Sequence, residues 1–333
     1  MQTFVTGGTG LVGAHLLLEL LRKNKKVRAL KRQDSDLLKV IKTFSWYVGN
    51  PEELFNRIEW VDGDVLDHFS LEEALEGVDQ VYHCAGKVSF ESRDRHAMLR
   101  VNQQGTANLV NVALDKGIGK LCHVSSVSAL GRSRQGETIT ERHFWKTSRH
   151  NSIYAQSKYA AEREVWRGIE EGLDAVIVNP SIIIGPGEWS SGSTRLFSAV
   201  YKGMPFYSNG VSGYVDVRDV VNIMIRLMES EISGERFVVS AEDVSYRDLF
   251  REIAAQLNLR PPWIKVQPWK GEIGWRIFSL FDRSGNYTRE TTRAAFKRYY
   301  YDNSRIREKL NYDFIPIKDS IGHTAKIFLN DQH

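Results

Sequence analysis

Thr6-Gly7-Gly8-Thr9-Gly10-Leu11-Val12-Gly13 is the stretch on which the fold turns. Phe4 and Val5 before it are apolar and strand-like, and Leu16, Leu17, Leu18, Leu20 and Leu21 after it read as a helix. Strand, glycine turn and helix form the context a dinucleotide fingerprint requires. Two spacings fit: Gly8, Gly10 and Gly13 as G-x-G-x-x-G, or Gly7, Gly10 and Gly13 as G-x-x-G-x-x-G. Either way one glycine lets the backbone turn where a Cβ would clash. Another leaves room for a pyrophosphate, and Gly13 lets helix and strand pack closely. Free N–H groups and the positive end of the helix dipole then face the phosphate.

The chain has 333 residues, 42% hydrophobic and 26% charged, an ordinary globular composition with room for a large core or two unequal lobes. A formal charge of +4, with basic residues spread among acids, argues against a nucleic-acid partner. Cys84 and Cys122 both fall in apparent strands and form neither a disulfide framework nor a metal set. A reducing, cytoplasmic setting is expected. The first strand begins at residue 2, leaving no room for a signal peptide, and no apolar run approaches a membrane span.

Strand signals recur at Val27–Leu30, Ile58–Val61, Gln80–Cys84, Leu121–Ser125 and Ala175–Val178. Helical signals lie between them near 34–44, 70–76, 96–116 and 152–171. This alternation predicts an α/β fold: a doubly wound parallel sheet with helices on both faces. Linker-like composition at Gly185-Pro186-Gly187 and Ser190–Ser193 suggests a Rossmann domain over 1–180. Residues 181–333 are expected to form mainly a smaller C-terminal α/β substrate lobe, with some chain returning to the sheet. Its helices are predicted at 194–202, 217–229, 245–257, 271–283, 303–310 and 317–329, with short strands at Tyr214–Val217 and Phe237–Ser240. Ligands in such sheets bind outside the carboxyl ends of the strands.

Tyr154-Ala155-Gln156-Ser157-Lys158 is the candidate for chemistry. Residues i and i+4 share a helix face, so the Lys158 ammonium can approach the Tyr154 phenol. A free phenol has a pKa near ~10. A nearby cation, whether Lys158 or an oxidised nicotinamide, favours the phenolate and pulls that value toward neutral. The tyrosine can then give or take a proton. Alone, such a pair is more often an amphipathic helix with Lys in solvent; behind a dinucleotide fingerprint and a fifth strand, the catalytic reading is favoured. The hydroxyls of Val124-Ser125-Ser126-Val127-Ser128 end that strand, where a substrate oxygen would be held. Their competing role is local turn bonding.

These motifs resemble those of an extended short-chain dehydrogenase/reductase of the NAD-dependent epimerase/dehydratase superfamily. Further matches are Gly63-Asp64-Val65, His83-Cys84-Ala85-Gly86, Val101-Asn102-Gln103-Gln104-Gly105-Thr106 and Asn179-Pro180-Ser181, and the likeness covers nearly the whole chain. The resemblance implies a catalytic set of Ser126, Tyr154 and Lys158, with Asn102 supporting the active-site strands. It assigns Gly7, Thr9, Gly10, Leu11, Val12 and Gly13 to the cofactor. It places Asp64 and Val65 at the adenine, and Cys84, Ala85 and Gly86 beside the ribose and phosphates. Lys158 is expected on the nicotinamide ribose, and Pro180 and Ser181 near the nicotinamide ring. Ser126 is preferred to Ser125 by its position before Gly131. A homodimer is expected by analogy, through helices near 96–116 and 152–171.

An acid after the second strand binds the ribose of NAD, whereas an arginine accommodates the phosphate of NADP. Lys31 and Arg32 stand there, so NADP is favoured, with NAD kept open through Asp34. Ser126 is followed by Val127 and Ser128, where sugar-nucleotide dehydratases resembling this chain carry Asp-Glu. Ser212 and Gly213 replace the Arg-Asp pair of epimerases, although Arg195 or Arg218 could substitute on a diphosphate. The remaining resemblance is to dihydroflavonol reductases and 3-beta-hydroxysteroid dehydrogenases. It implies hydride transfer between a nicotinamide cofactor and a small carbonyl or alcohol. Phe197, Tyr201, Phe206, Tyr207, Trp263, Trp269, Trp275, Phe278 and Phe281 offer aromatic walls for such a substrate, or simply a core for the lobe. A nucleotide-sugar epimerase or reductase and a non-catalytic NADP-binding redox sensor are the alternatives. No metal is expected.

Overall fold

The computed structural model describes residues 1–89, 92–131, 137–148, 151–267 and 295–332. Its first half runs β1 (Gln2–Thr6), α1 (Leu11–Arg22), β2 (Lys26–Lys31), α2 (Leu38–Ser45), α3 (Pro51–Phe55), β3 (Ile58–Asp62), α4 (His68–Ala74), β4 (Gln80–His83), α5 (Arg95–Leu99), α6 (Gly105–Asp115), β5 (Lys120–Val124), β6 (Thr138–Ile139), α7 (Ile153–Glu170) and β7 (Ala175–Pro180). There follow β8 (Ile182–Ile184), α8 (Arg195–Tyr201), β9 (Phe206–Tyr207), β10 (Val211–Asp216), α9 (Val217–Met228), β11 (Glu235–Val239), β12 (Glu242–Ser245) and α10 (Tyr246–Gln256). Short strands Ile264–Lys265 and Tyr300–Tyr301 and helices Ser304–Leu310 and Ile317–Gln332 complete the described chain.

Seven strands form one parallel sheet in the order β11-β7-β5-β4-β1-β2-β3. Its strands are near-continuous apolar runs because both faces are covered. Phe4 and Val5 point to opposite faces, and both are fully buried. Val5 packs with Leu16 and Leu17 of α1 and with Val220 and Met224 of α9. Phe4 packs with Leu71 of α4, Leu109 of α6 and Val165 of α7. Strand order reverses between β1 and β4, which opens a crevice at their carboxyl ends, where the glycine turn lies.

Three elements from beyond residue 180 return to this sheet, one of them the helix Ser304–Leu310, whose Ile306 joins the core shared with α9. The strand expected at Phe237–Ser240 is β11, the sheet's outer strand, in register with β7. Helix α9 covers the sheet through its apolar stripe. The rest builds a smaller layer around β12-β10-β8, whose core holds Ile184, Phe197, Tyr214, Leu249, Ile321 and Phe328. Phe197 is therefore core and not a substrate wall, while Trp263 is 52% exposed. The helix predicted at 271–283, with Trp269, Trp275, Phe278 and Phe281, lies outside the described residues.

The helix expected over 96–116 is not uniform. Arg100–Gln104 between α5 and α6 form a π-helical turn. Such turns are often found at functional sites, and this one carries Asn102. Gly105 follows because a Cβ there would lie 2.6 Å from Val65 Cγ2. The helix expected from 34 begins only at Leu38, because Arg32 N–H donates to Ser35 Oγ at 2.9 Å and turns the chain first.

Candidate active site

The glycine turn uses the Gly7 spacing. Gly7 has φ +70°, a left-handed conformation that glycine adopts without Cβ strain. A Cβ there would lie 2.5 Å from Ala85 N, and one on Gly13 would lie 2.1 Å from Gly7 O. The two glycines let β1, the chain after β4 and α1 meet with no side chain between them. Gly10 N–H donates to Gly7 O at 3.0 Å and closes the turn. Gly8 sits differently, with Leu17 as its nearest contact.

A buried chain of hydrogen bonds leads from this turn. Thr6 Oγ1 bonds His83 Nδ1 at 2.8 Å, and His83 Nε2 bonds Thr106 Oγ1 at 2.9 Å. Thr106 donates its hydroxyl proton to Asn102 O at 2.5 Å, so it accepts from His83. That assigns the proton to His83 Nε2 and leaves Nδ1 to accept from Thr6. Burial lowers the His83 pKa to about 3, so the ring is neutral. Asn102 Oδ1 accepts from Lys87 N at 2.7 Å. Its Nδ2 donates to Lys87 O at 3.0 Å and to Ser157 Oγ at 2.9 Å. Ser157 in turn donates to Tyr154 O at 2.8 Å. Sequence reasoning singled out Asn102 but missed Thr6, His83, Thr106 and Ser157. The available signal was polar side chains within or beside apolar strands.

The phenol of Tyr154 and the hydroxyl of Ser126 are hydrogen-bonded. Ser126 also accepts from Ser128 N at 3.2 Å, capping the short helix Val127–Leu130. Ser125 is turned away, donating to Glu162 Oε2 at 2.8 Å. Ser126 is thus the serine at the phenol. Lys158, one turn after Tyr154, is buried and donates to Val124 O at 2.8 Å. A Cβ on Gly86 would lie 3.2 Å from Lys158 Nζ, so this glycine sits directly beside the ammonium.

The tuning expected of Tyr154 differs from what the site displays. Burial raises the phenol pKa, and the Ser126 hydrogen bond opposes it. One of the three N–H donors of the Lys158 ammonium goes to the Val124 carbonyl. Burial lowers the lysine's own pKa from 10.5 to about 8. Between those values the unfolded amine holds a proton that the folded one has released, so stability rises with pH through that window. Thermal melts from pH 8 to 10.5 should show this rise, and Lys158→Met should flatten it.

The remaining candidates flank this centre. Asp64 Oδ1 accepts from Leu66 N at 2.9 Å, a local turn bond, and the Val65 carbonyl accepts from Asn108 at 3.0 Å. Lys31 pairs with Asp62, and Arg32 with Asp34 at 2.9 Å on the surface. Cys84 lies against Gly7, its thiol pushed up to about 12 by burial, and neither cysteine is bridged. Pro180 ends β7, and Ser181 is buried with no hydrogen-bond partner on its Oγ. Leu11 approaches the Gly187 segment. Arg218 is committed to Asp216 through bonds of 2.9 and 2.7 Å, which argues against the diphosphate role considered for it. Among the described residues no group of His, Cys, Asp and Glu can hold a metal ion, and no helix is long and apolar enough to cross a membrane.

Comparison with known proteins agrees with this geometry. Residues 3–240 match the NAD dependent epimerase/dehydratase family. The chain is 30% identical to a putative dihydroflavonol 4-reductase from Synechocystis sp., over 98% of this chain and 94% of that one. It is 26% identical to cinnamoyl-CoA reductase 1 from Petunia hybrida, over 99% and 92%. Among solved structures, gox2253 superposes with a TM-score of 0.81 at 29% identity, covering 99% and 98% of the two chains. UDP-glucose 4-epimerase from Thermotoga maritima superposes at 0.79 with 17% identity over all of both chains, a likeness of fold. The chain belongs to the NAD dependent epimerase/dehydratase family, within the extended short-chain dehydrogenase/reductases, and is an oxidoreductase.

Proposed function

We propose that this protein is an NADP-dependent carbonyl reductase in which Ser126, Tyr154 and Lys158 act on a substrate oxygen. The observation that carries the reading is the Tyr154–Ser126 hydrogen bond at the carboxyl ends of the sheet strands, with Lys158 one turn on. A dinucleotide fits the chain's own features. Gly7 and Gly13 draw the turn tightly onto neighbouring backbone, a Cβ on Gly10 would meet only Gly7 O at 3.4 Å, and Ser181 Oγ is buried without a partner. Bound there, the cofactor supplies the hydride.

Ser126 donates a hydrogen bond to the substrate oxygen, and Tyr154 gives it a proton as negative charge develops. Lys158 would hold the nicotinamide ribose with the donors it does not use on Val124. Asn102 keeps the Tyr154 turn of α7 tied to the segment after β4. The dihydroflavonol and cinnamoyl-CoA reductases among the relatives support a flat carbonyl as substrate. A cofactor-oxidation screen with aldehydes, ketones, flavonoids and steroids tests the reading. Turnover of a carbonyl is expected. Conversion of UDP-sugars alone would favour the epimerase, and tight NADP binding without any turnover would favour the sensor. The reading extends to a cytoplasmic homodimer, which fractionation and light scattering would test.

Arg32 carries the preference for NADP. Facing a 2′-phosphate, it exchanges the exposed Asp34 partner for a charge-assisted contact. Arg32→Ala is expected to weaken NADPH binding about 10- to 100-fold and NADH binding by less than about 3-fold. Equal losses for both in a fluorescence titration would overturn the preference.

A further inference from the structure

Behind the Tyr154–Lys158 face lies a buried charge that the proposed reaction does not use. Glu162 stands one turn after Lys158 and two after Tyr154 on α7. It is 1% exposed. A charge so deep requires partners. Oε2 accepts from Ser125 Oγ at 2.8 Å and from Asn179 Nδ2 at 2.9 Å. Oε1 accepts from Arg236 Nη1 at 2.7 Å and from Trp166 Nε1 at 3.3 Å. The Asn179 amide also donates to the Ser126 carbonyl at 3.0 Å. Arg236 continues outward to the Glu141 carbonyl at 2.6 Å and the His143 carbonyl at 2.9 Å.

A buried ion pair is weak evidence for stability, since a well-packed apolar pair often serves as well. These bonds are selective: they reach both Ser125 and Ser126 from the helix that carries Tyr154 and Lys158. We propose that Glu162 is a positioning residue that, clamped by Arg236, locks the Ser126 segment and the Tyr154–Lys158 helix in one register. The proposal rests on the reading of those three residues given above.

The surroundings sharpen it. Cys84, His83 and His123 also face Lys158, and burial keeps the thiol and both imidazoles neutral. Glu162 is the carboxylate acting on that ammonium. Arg236 faces Glu162 from β11, and Glu141, His143, Arg163 and Glu235 line the adjoining cavity of about 350 Å³.

The test compares Glu162→Gln, Glu162→Asp and Tyr154→Phe in the full chain, with NADPH supplied for turnover and oxidised NADP bound for the titration. Readouts are cofactor Kd, melting temperature, kcat on the best carbonyl from the screen, and an ultraviolet difference titration that isolates Tyr154 by subtracting Tyr154→Phe. Glu162→Gln should keep Kd within about 3-fold while kcat falls about 30- to 100-fold, the scale of a misplacement near 1 Å. Its Tyr154 titration should move to higher pH, because the Ser126 hydrogen bond that holds the phenol down is loosened when the Ser126 segment is no longer locked. Glu162→Asp should recover part of the rate. An unmoved titration in Glu162→Gln overturns the proposal, whether kcat is unchanged or falls together with Kd and melting temperature. The titration needs no turnover, so it decides even without an identified substrate. Full activity in Tyr154→Phe would instead sink the proposed function.

Discussion

Tyr154→Phe should abolish reduction while leaving the cofactor bound. The substitution removes one oxygen, the one that receives the Ser126 hydrogen bond. The aromatic ring, the α7 backbone and the Ser157–Tyr154 carbonyl bond are untouched. Lys158 also keeps its Val124 contact, so the ribose site stays formed. The reaction loses its proton donor, and a positioned general acid contributes typically ~10²- to 10⁴-fold. We therefore expect kcat to fall by at least about 100-fold, with NADPH Kd within about 3-fold of the parent. Stopped-flow cofactor oxidation and a binding titration measure the two separately. Retained kcat would show that the proton comes from elsewhere.

Gly13→Ala should act on the opposite side of the balance, removing the cofactor and weakening the fold. The added Cβ would lie 2.1 Å from Gly7 O and 2.9 Å from Gly8 Cα, both backbone atoms that no side-chain rotation can relieve. Either α1 moves off β1 or the turn opens. Overpacking of this kind costs about 1–3 kcal/mol. An opened turn would also withdraw the N–H groups and helix end proposed to face the phosphates. Dinucleotide affinity should drop on the order of 100-fold, equivalent to about 2.7 kcal/mol. Gly49→Ala is the control: its Cβ would meet nothing within 4 Å, and a change within about 0.5 kcal/mol is expected. Equal cofactor binding in Gly13→Ala and the parent would mean that the phosphates lie elsewhere.

The parallel sheet was legible because its signals are local. Apolar runs such as Leu121–Cys122 and Val176–Val178 bury on both faces wherever they pair. Tyr154 and Lys158 were legible for the same reason, since four residues on a helix fix a shared face without reference to the rest of the chain. Reading failed where a partner comes from afar. The π turn at Arg100–Gln104 was invisible because its sequence suits an ordinary helix; Asn102 holds Lys87 and Ser157 from it only in the folded chain. The placement of β11 beside β7 follows from crossover packing and not from its own residues.

The amino-acid sequence by itself determined the strand–turn–helix opening, the alternation that makes the sheet, and the phenol and amine on one helical face. Each depends on spacing within a few residues. Only the tertiary structure decided that Gly7 and not Gly8 meets the neighbouring strand, and that Glu162 gathers Ser125, Asn179 and Arg236. Those choices depend on which buried donor lies within about 3 Å of which acceptor. That distance exists only after segments as far as 74 residues apart have packed.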